Sequence, residues 1–301
     1  MNGILLIDKA ADWTSSDVVQ KLRGLLHEKR VGHAGTLDPM ATGLLTVFVG
    51  RATRAAEYAE AEHKVYRASL RLGVSTDTQD ITGTVLHRAE ETDLPSGEAL
   101  REVMESFHGE ISQIPPMYSA LKIQGKRLYQ LARKGVSVER EARQIRIDRL
   151  ELLGQNEDGD WLLEVECGKG TYIRTICNDI GEKLGCGGCL AALRRTAVGG
   201  FRVEDAHCLQ EVAEYASEGR AEELLLPTDS LFAQYGKLTV SESGERKVRN
   251  GAPFATTDLV STLGEGPAYR VYAADGEFLA LVRRTGNRFN TVKNFFEPTA
   301  P

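Results

Sequence analysis

The stretch GHAGTLDPMATGLLTVFVG, residues 32–50, joins a glycine-rich segment to a run of β-branched and aromatic residues. The run from Leu44 to Gly50 predicts a buried strand, because such side chains fit a pleated, half-buried surface. Asp38 is therefore expected on a loop directly before a core strand. The glycines do not indicate a phosphate-binding loop, since the Gly-Lys-Ser/Thr ending of such loops is missing.

Asp38 is followed by Pro39, and Asp-Pro pairs commonly begin turns. A purely structural role as a turn cap is one interpretation of this carboxylate. The other is chemical, since His33 lies nearby and Arg51 and Arg54 follow. A carboxylate that acts on a nucleic-acid base or sugar needs cations for the phosphates and aromatic faces for an extruded base. These residues fit RNA chemistry but do not choose a reaction.

Segments with strand and helix patterns lie on both sides of this loop. Short apolar or alternating runs predict strands at GILLID (3–8), KVYRASLRLG (64–73) and DWLLEVECGKG (160–170). Helical spacing predicts helices at TSSDVVQKLRGLLHEK (14–29), RATRAAEYAEAEHK (51–64), EALREVMESFHGE (98–110) and TYIRTICNDIGEKLG (171–185). Thr171 is the expected N-cap of the last helix. Without regular βαβ alternation, this mixture predicts an α+β fold with a mixed, largely antiparallel sheet flanked by helices.

The chain of 301 residues allows two unequal domains, and we expect the boundary near residue 235. AYRVYAADGEFLALVRR (268–284) predicts two strands joined at Asp275-Gly276, which indicates a small β-rich domain over residues 236–301. An apolar content of 42% and a charged content of 27% are typical of folded globular proteins. No stretch is apolar enough for a membrane span, so we expect a cytoplasmic protein.

Charge is segregated although the net charge is only -6. Residues 117–150 contain nine Lys or Arg against three acids, whereas residues 203–230 contain eight acids against one Arg. The first segment would attract a polyanion. The five cysteines include CGGC at 186–189, for which we favour a small buried turn. A zinc site would need a second ligand pair in the fold, and a redox CxxC usually lies at a strand-to-helix junction of a small domain.

Five ordered segments carry a closer resemblance. VGHAGTLDPMATGLLTVFVGRATR (31–54), KVYRASLRLGVSTDTQDITG (64–83), QIPPMYSALKIQGKRLYQLARKG (113–135), GKGTYIRTICNDIGEKLG (168–185) and LRRTAVGGF (193–201) resemble motifs of the bacterial tRNA pseudouridine synthase B family. The resemblance covers roughly residues 3–235 and implies isomerisation of the uridine at position 55 in the tRNA T loop, without a cofactor or metal. It implies a pseudouridine synthase fold over residues 1–235 and a PUA-like RNA-binding domain over residues 236–301.

The resemblance also assigns roles to single residues. It makes Asp38 the catalytic aspartate and Tyr66 the residue that stacks on the flipped base and helps to remove a proton. Arg174 would pair with Asp38 and lower its pKa. Asp80 would support the site. Other matched positions concern base packing (Tyr172, Leu193), insertion into the T loop (His33) and phosphate contacts from a thumb-like insertion at 113–145 (Lys122, Lys126, Arg127).

One departure from the family pattern is Lys9-Ala10, where the family usually has Lys-Pro, which puts the stiffness of that loop in question. Two other function classes remain open from the residues. One is a tRNA-binding or tRNA-folding module without catalysis. The other is a nucleoside or glycoside hydrolase in which Asp38 and Asp80 form an acid and nucleophile pair. The expected partner is the tRNA T stem-loop, and the expected oligomeric state is a monomer.

Overall fold

The computed structural model describes residues 1–90, 94–119, 121–123, 125–262 and 264–296. The helices are α1 (Ser15–Leu26), α2 (Ala56–Ala61), α3 (Gly97–Glu105), α4 (Leu128–Ala132), α5 (Ile173–Lys183), α6 (Leu209–Ser217) and α7 (Glu242–Arg249). The strands are β1 (Gly3–Lys9), β2 (Val31–Ala34), β3 (Thr42–Val49), β4 (Lys64–Leu72), β5 (Val74–Thr76), β6 (Val85–Arg88), β7 (Gly109–Gln113), β8 (Lys122–Ile123), β9 (Lys126–Arg127), β10 (Arg143–Gln155), β11 (Trp161–Cys167), β12 (Gly188–Val198), β13 (Phe201–Arg202), β14 (Gly236–Thr239), β15 (Phe254–Ala255), β16 (Ala268–Tyr272), β17 (Phe278–Thr285) and β18 (Arg288–Asn294).

A nine-stranded sheet forms the centre of the molecule. Its main order is β1-β3-β12-β4-β11-β10-β7, with β2 paired to β3 and β13 paired to β12. All of these pairings are antiparallel except that between β12 and β3. The predicted α+β class with a mixed, largely antiparallel sheet is therefore confirmed.

Helices cover one face of this sheet. Apolar residues of α1, α3, α5 and α6 form a core with strand residues such as Leu70 and Val165, both with no exposed surface. Helix α1 begins where expected because Thr14 and Asp17 form a capping box: Asp17 N donates to Thr14 Oγ1 and Thr14 N donates to Asp17 Oδ2, each at 3.0 Å. The loop that carries Asp38 leaves β2 beside this helix.

A second, five-stranded sheet lies towards the C-terminus, in the order β14-β16-β17-β18-β15. The two predicted strands around Asp275-Gly276 are its β16 and β17, which pair antiparallel. One of its faces joins the other side of the central sheet through aromatic residues: the Phe232 ring lies 5.6 Å from Phe295 and 6.2 Å from Phe278, between ring centroids. The other face has a core of its own.

One predicted helix differs from the structure. The helix expected over residues 51–64 is reduced to a 3-10 turn at Gly50–Ala55 and the short α2. The helix stops there because the buried Lys64 Nζ donates to the carbonyls of Glu60 and Glu62, at 2.8 and 2.6 Å, and leads the chain into β4.

Within the described residues, no helix is long and apolar enough to cross a membrane.

Candidate active site

Asp38 lies on the loop between β2 and β3, as expected. The main chain of the loop is fixed from α1 and from the turn after β1. Leu37 N donates to Ser15 Oγ at 2.9 Å, and Asp12 N donates to Pro39 O at 2.9 Å. The Leu37 side chain is buried and anchors the loop in the helix-side core. Asp38 thus projects from a segment that the surrounding fold holds in place.

The Asp38 carboxylate does not cap a turn. The local turn is closed by the main chain, since Ala41 N donates to Asp38 O at 3.0 Å. In the described part of the chain, no backbone N–H donates to the Asp38 side chain, 39% of which is exposed. The structure therefore does not support the turn-cap interpretation, and the carboxylate remains partly exposed.

Arg174 links Asp38 to Asp80. Its Nη2 lies 3.5 Å from Asp38 Oδ2 and its Nη1 lies 3.7 Å from Asp80 Oδ2. The same Nη2 donates to Tyr118 O at 2.6 Å, and only 6% of the Arg174 side chain is exposed. One buried guanidinium therefore contacts two carboxylates and the segment that follows β7.

Burial raises the pKa of Asp38 above its ordinary value. The Arg174 and Lys9 charges oppose this shift, whereas the negative charge of Asp80 adds to it. The Arg174 charge lowers the Asp38 pKa, as expected. The net shift is nevertheless upward, so the expected overall direction is wrong. Desolvation by the surrounding fold outweighs a cation that contacts the carboxylate only at 3.5 Å.

Gln113 positions the start of α5, and sequence reasoning missed it. The buried Gln113 side chain binds the Tyr172 main chain twice: Tyr172 N donates to Oε1 at 2.9 Å, and Nε2 donates to Tyr172 O at 3.1 Å. Thr171 is not the N-cap, because Tyr172 occupies that position and the Thr171 hydroxyl instead donates to Gly168 O. A distant amide therefore sets the direction of Arg174 in the first turn.

Asp80 is buried and its Oδ1 accepts several hydrogen bonds. The donors are the Thr78 hydroxyl at 2.9 Å, Thr82 N at 2.9 Å and the Thr82 hydroxyl at 2.5 Å. Gln79, just before it, has φ +66 and accepts from the Thr175 hydroxyl of α5 at 2.7 Å. These contacts fix the Asp80 turn against α5. The second carboxylate oxygen of Asp80, Oδ2, therefore faces Arg174.

Tyr66, Leu193 and Tyr172 form the apolar surroundings of this cluster. Tyr66 on β4 and Leu193 on β12 are buried on the helix side of the sheet. Burial raises the pKa of Tyr66 and, to a smaller extent, the nearby Asp38 charge does so too. The Arg174 guanidinium lies 5.8 Å from the centroid of the Tyr172 ring. Arg174 contacts both Asp38 and Asp80, and the Asp38 charge raises the pKa of Tyr66 and of Tyr172.

His33 is the predicted residue that lies apart from the carboxylate cluster. It is half-buried on β2, and its Nδ1 has no hydrogen-bond partner in the described structure. Burial lowers the pKa of His33, and the Arg195 charge lowers it further. Its imidazole is therefore neutral at neutral pH, with a free ring nitrogen.

The predicted phosphate contacts lie on the β8–β9 hairpin. Lys122 and Arg127 face each other in its register, and their side chains lie outside the described residues. Lys126 is exposed.

Lys9 is a second residue of the site that the sequence did not indicate. It is 1% exposed at the end of β1, and its Nζ donates to Ala10 O, Trp13 O and Pro39 O at 2.9, 2.7 and 3.2 Å. Burial lowers its pKa to about 8. Two of these carbonyls, Ala10 O and Trp13 O, belong to the turn after β1, and the third, Pro39 O, belongs to the Asp38 loop. Lys9 therefore ties the two segments together even with Ala10 in place of proline.

Arg195 is a third residue that sequence reasoning missed, and it has no exposed surface. Its signal was present in the sequence: in LRRTAV, period-two alternation puts Leu193, Arg195 and Ala197 on one strand face, and Leu193 and Ala197 are apolar. A cation at a core position of a strand is unusual unless it is bonded internally.

The CGGC segment is a buried turn between α5 and β12, as expected. Cys186 and Cys189 are buried free thiols. Gly188 allows α5 to pack closely on β12, because a Cβ there would lie 2.7 Å from Cys177 O. No cluster of three or more metal-binding side chains occurs among the described residues.

Comparisons with known proteins show to which family this chain belongs. Residues 23–173 match the TruB family pseudouridylate synthase N-terminal domain, and residues 174–233 match the tRNA pseudouridylate synthase B C-terminal domain. The chain is 40% identical to tRNA pseudouridine synthase B of Clostridium kluyveri, over 98% of this chain and 100% of that protein. It is 47% identical to tRNA pseudouridine synthase B of Chromobacterium violaceum, over 84% of this chain and 81% of the relative.

Solved structures share the fold. A chain of a Cbf5-Nop10-Gar1 complex matches with a TM-score of 0.73 and 25% identity, over 98% of this chain and 85% of that one. A chain of an H/ACA RNP bound to a substrate RNA containing 2'-deoxyuridine matches with a TM-score of 0.72 and 23% identity, over 98% and 86%. Because the curated relatives match along nearly the whole chain, this protein belongs to the TruB family of pseudouridine synthases, the isomerases that convert uridine to pseudouridine in tRNA.

Proposed function

We propose that the enzyme isomerises the uridine at position 55 in the T loop of tRNA, with the base flipped out of the stack and Asp38 as the essential catalytic residue. The observation that carries the proposal is the Asp38 carboxylate, held on a fixed loop 3.5 Å from Arg174 and partly exposed. Asp80 has one oxygen occupied by three donors and the other facing Arg174.

The reaction breaks the bond between C1' and uracil N1 and forms one between C1' and C5. The C5 proton leaves and N1 gains a proton, so no atom is gained or lost overall. Asp38 is the group that attacks the target nucleotide, and the Arg174 charge holds the carboxylate in place. The aromatic ring of Tyr66 is the group assigned to stack on the base, and burial raises the pKa of its hydroxyl. If the Tyr66 hydroxyl accepts a proton during the reaction, it must also release one.

Flipping the base requires a pocket that receives it. Tyr66, Tyr172 and Leu193 supply aromatic and apolar surfaces beside Asp38, and stacking on such surfaces offsets part of the cost of leaving the RNA stack. We assign His33 to the space that the base vacates. Burial lowers the pKa of His33, and its neutral ring is suited to contact uncharged nucleobase edges.

We assign residues 113–145 to a thumb that clamps the RNA. β7 and β10 are neighbours in the sheet, with Gln113 opposite Arg143, so the chain between them leaves and returns at one edge. Lys122, Lys126 and Arg127 would contact phosphates there, and each lost contact should reduce the slope of log K against log salt by somewhat less than one. Residues 1–235 form the catalytic domain and residues 236–301 a PUA-like RNA-binding domain. The separate core of the five-stranded sheet supports this division.

The test uses an unmodified tRNA transcript, with pseudouridine mapped by carbodiimide labelling and primer extension. Wild type, Asp38→Asn and Asp158→Asn are compared, because Asp158 is an exposed turn residue that undergoes the same chemical change. We expect a stop at position 55 with wild type and Asp158→Asn, and none with Asp38→Asn although it still binds tRNA.

Other outcomes would reject specific parts of the proposal. A stop elsewhere would reject the T-loop position, and a stop with Asp38→Asn would reject the role of Asp38. Release of free uracil would indicate a hydrolase. For base flipping, 2-aminopurine beside the target should become more fluorescent when the RNA binds Asp38→Asn, since its neighbour leaves the stack.

A further inference from the structure

Arg195 is a fully buried cation without a carboxylate partner among the described residues. It lies on β12 directly opposite Tyr66 of β4. A buried charge is costly unless it is hydrogen-bonded, and apolar side chains of similar volume often serve stability as well or better. Stability alone therefore gives little reason for an arginine at this position, and its contacts must be examined for another role.

The Arg195 guanidinium binds both ends of the Asp38 loop. Its Nη2 donates to Gly35 O at 2.9 Å, where the chain leaves β2, and its Nε donates to Leu44 O at 2.7 Å, where β3 has begun. Both contacts cross 150 or more positions of sequence. The rigid, planar fork of arginine can hold two carbonyls at a fixed separation, which the single ammonium of lysine cannot do in the same way.

The main chain of Arg195 contacts the same loop. Gly43 lies opposite Arg195 in the parallel pairing of β3 with β12. A Cβ at Gly43 would lie 2.3 Å from Arg195 O, and φ there is +96, so only glycine permits this approach. The loop is thus closed over Arg195 by side chain and backbone together.

Several titratable groups lie around this cation. Its charge opposes the increase that burial causes in the pKa of Tyr66. Lys9 and Lys64 each have a pKa lowered to about 8, mainly by burial and in part by Arg195. His33 is affected in the same direction. Arg195 therefore contacts the Asp38 loop at Gly35 and Leu44 and lies opposite Tyr66, whose pKa its charge lowers.

We propose that Arg195 is a positioning residue: by fixing Gly35 and Leu44, its guanidinium sets the place of the Asp38 carboxylate relative to the Tyr66 ring. The inference rests on the proposed roles of Asp38 and Tyr66. Arg195 acts through these two groups, and no contact of its own with RNA is required.

The first test measures single-turnover rates at saturating tRNA, together with tRNA affinity, for Arg195→Met and Arg195→Lys. Displacing a reacting group by about 1 Å can cost roughly 10²-fold in rate. We expect a loss of this order for Arg195→Met, with tRNA affinity within about threefold of wild type. Arg195→Lys keeps the charge but can bind only one carbonyl well, so its rate should also be clearly reduced.

Arg194→Met is the matched control. Arg194 is the neighbouring arginine on β12, half-exposed, and forms a two-point ion pair with Asp8 at 3.0 and 2.7 Å. Leu100→Ala is a second control, which weakens the core at α3 without touching the loop. Both should keep their rate at saturating tRNA within about threefold. A loss in Arg195→Met equal to that in Leu100→Ala would reduce the role of Arg195 to stability and overturn the proposal.

Hydrogen exchange without RNA tests the loop independently of the reaction. In Arg195→Met and Arg195→Lys, peptides covering residues 35–44 should exchange at least about tenfold faster than in wild type, with peptides over residues 268–285 unchanged. Unchanged exchange at 35–44, or a wild-type rate in Arg195→Lys, would overturn the proposal. If wild type makes no pseudouridine in the T loop, the proposed function fails, whereas the exchange measurement still reports whether Arg195 fixes the loop.

Discussion

The Asp38 loop and the Asp80 turn contact the same Arg174 guanidinium but are constructed differently. Asp80 is buried, and three donors from Thr78 and Thr82 occupy its Oδ1. Asp38 is fixed through its main chain, and its partly exposed carboxylate receives no backbone N–H within the described structure. The difference shows that two carboxylates on one arginine can be held by different atoms, one through its side chain and the other through its main chain. It fits the proposed roles, in which Asp80 orients Arg174 and Asp38 reacts.

Asp38→Asn should have the largest effect on the rate of pseudouridine formation. We expect the rate of pseudouridine formation to fall by at least about 10⁴-fold, because the reacting oxygen is lost while the loop contacts remain. The thermal unfolding temperature should be no lower than that of wild type. Single-turnover kinetics and calorimetry check this pair of outcomes, and a cooperative loss of stability together with activity would contradict it.

Arg174→Met should have the next largest effect, because it removes the contact common to both carboxylates. We expect a rate loss of about 10²- to 10³-fold, comparable to the loss of an electrostatic contact in other active sites. The variant should also be less stable, since Asp80 would remain buried without its cation. Arg174→Lys keeps a charge at this position and should lie between Met and wild type. Equal activity of Arg174→Met and wild type would show that the ion pairs do not contribute to the reaction rate.

Asp80→Asn should change stability more than Asp38→Asn and activity less. The amide can still accept at one oxygen, but it turns an NH2 group towards Arg174, so we expect about 1–3 kcal/mol of lost stability. The rate should fall by about 10- to 100-fold through a displaced Arg174. Chemical denaturation and single-turnover assays measure the two effects. The comparison fails if Asp80→Asn is as inactive as Asp38→Asn.

Thr82→Val tests one contact of the Asp80 turn. It removes the 2.5 Å hydroxyl donor and leaves the Thr82 N–H bond in place. We expect a stability loss of about 1 kcal/mol and a rate within about threefold of wild type. Denaturation midpoints and the same kinetic assay are sufficient to measure it.

The smallest expected effect is the pH dependence of stability that Asp38 contributes. Burial raises its pKa in the folded state, so the folded protein binds this proton more tightly than the unfolded chain, whose Asp value is near 3.8. The ionised group therefore lowers stability as pH rises from about 3.8 through the folded pKa. The stability of Asp38→Asn relative to wild type should increase over that window. Denaturation of both proteins between acidic and neutral pH measures it, and an opposite slope would contradict the raised pKa.

The sequence predicts the parts of the site that follow a local pattern. The alternation in β4 puts Tyr66 on the buried face, and the apolar stripe of α5 leaves Arg174 near its start. The glycine-flanked loop and the strand after it place Asp38 before β3. These features depend on residues within a few positions of each other, so periodicity and turn chemistry are sufficient to reveal them.

Other features of the site have no local signal. Gln113 lies 59 positions from the Tyr172 main chain that it binds. The expected Thr171 cap is absent because the helix begins one residue later, with Tyr172 as its N-cap residue. The direction of the Asp38 pKa was mispredicted because burial depends on all the chain around it.

The sequence alone therefore determined the strand and helix patterns, the loop that carries Asp38 and, through its ordered motifs, the family. Only the tertiary structure decided which distant groups fix that loop, namely Lys9 Nζ on Pro39 O and Arg195 on Gly35 O and Leu44 O. It also decided that Asp38 stays open while Asp80 is enclosed. The physical reason is that hydrogen bonding and desolvation depend on separation in space, whereas local sequence patterns report only neighbours along the chain.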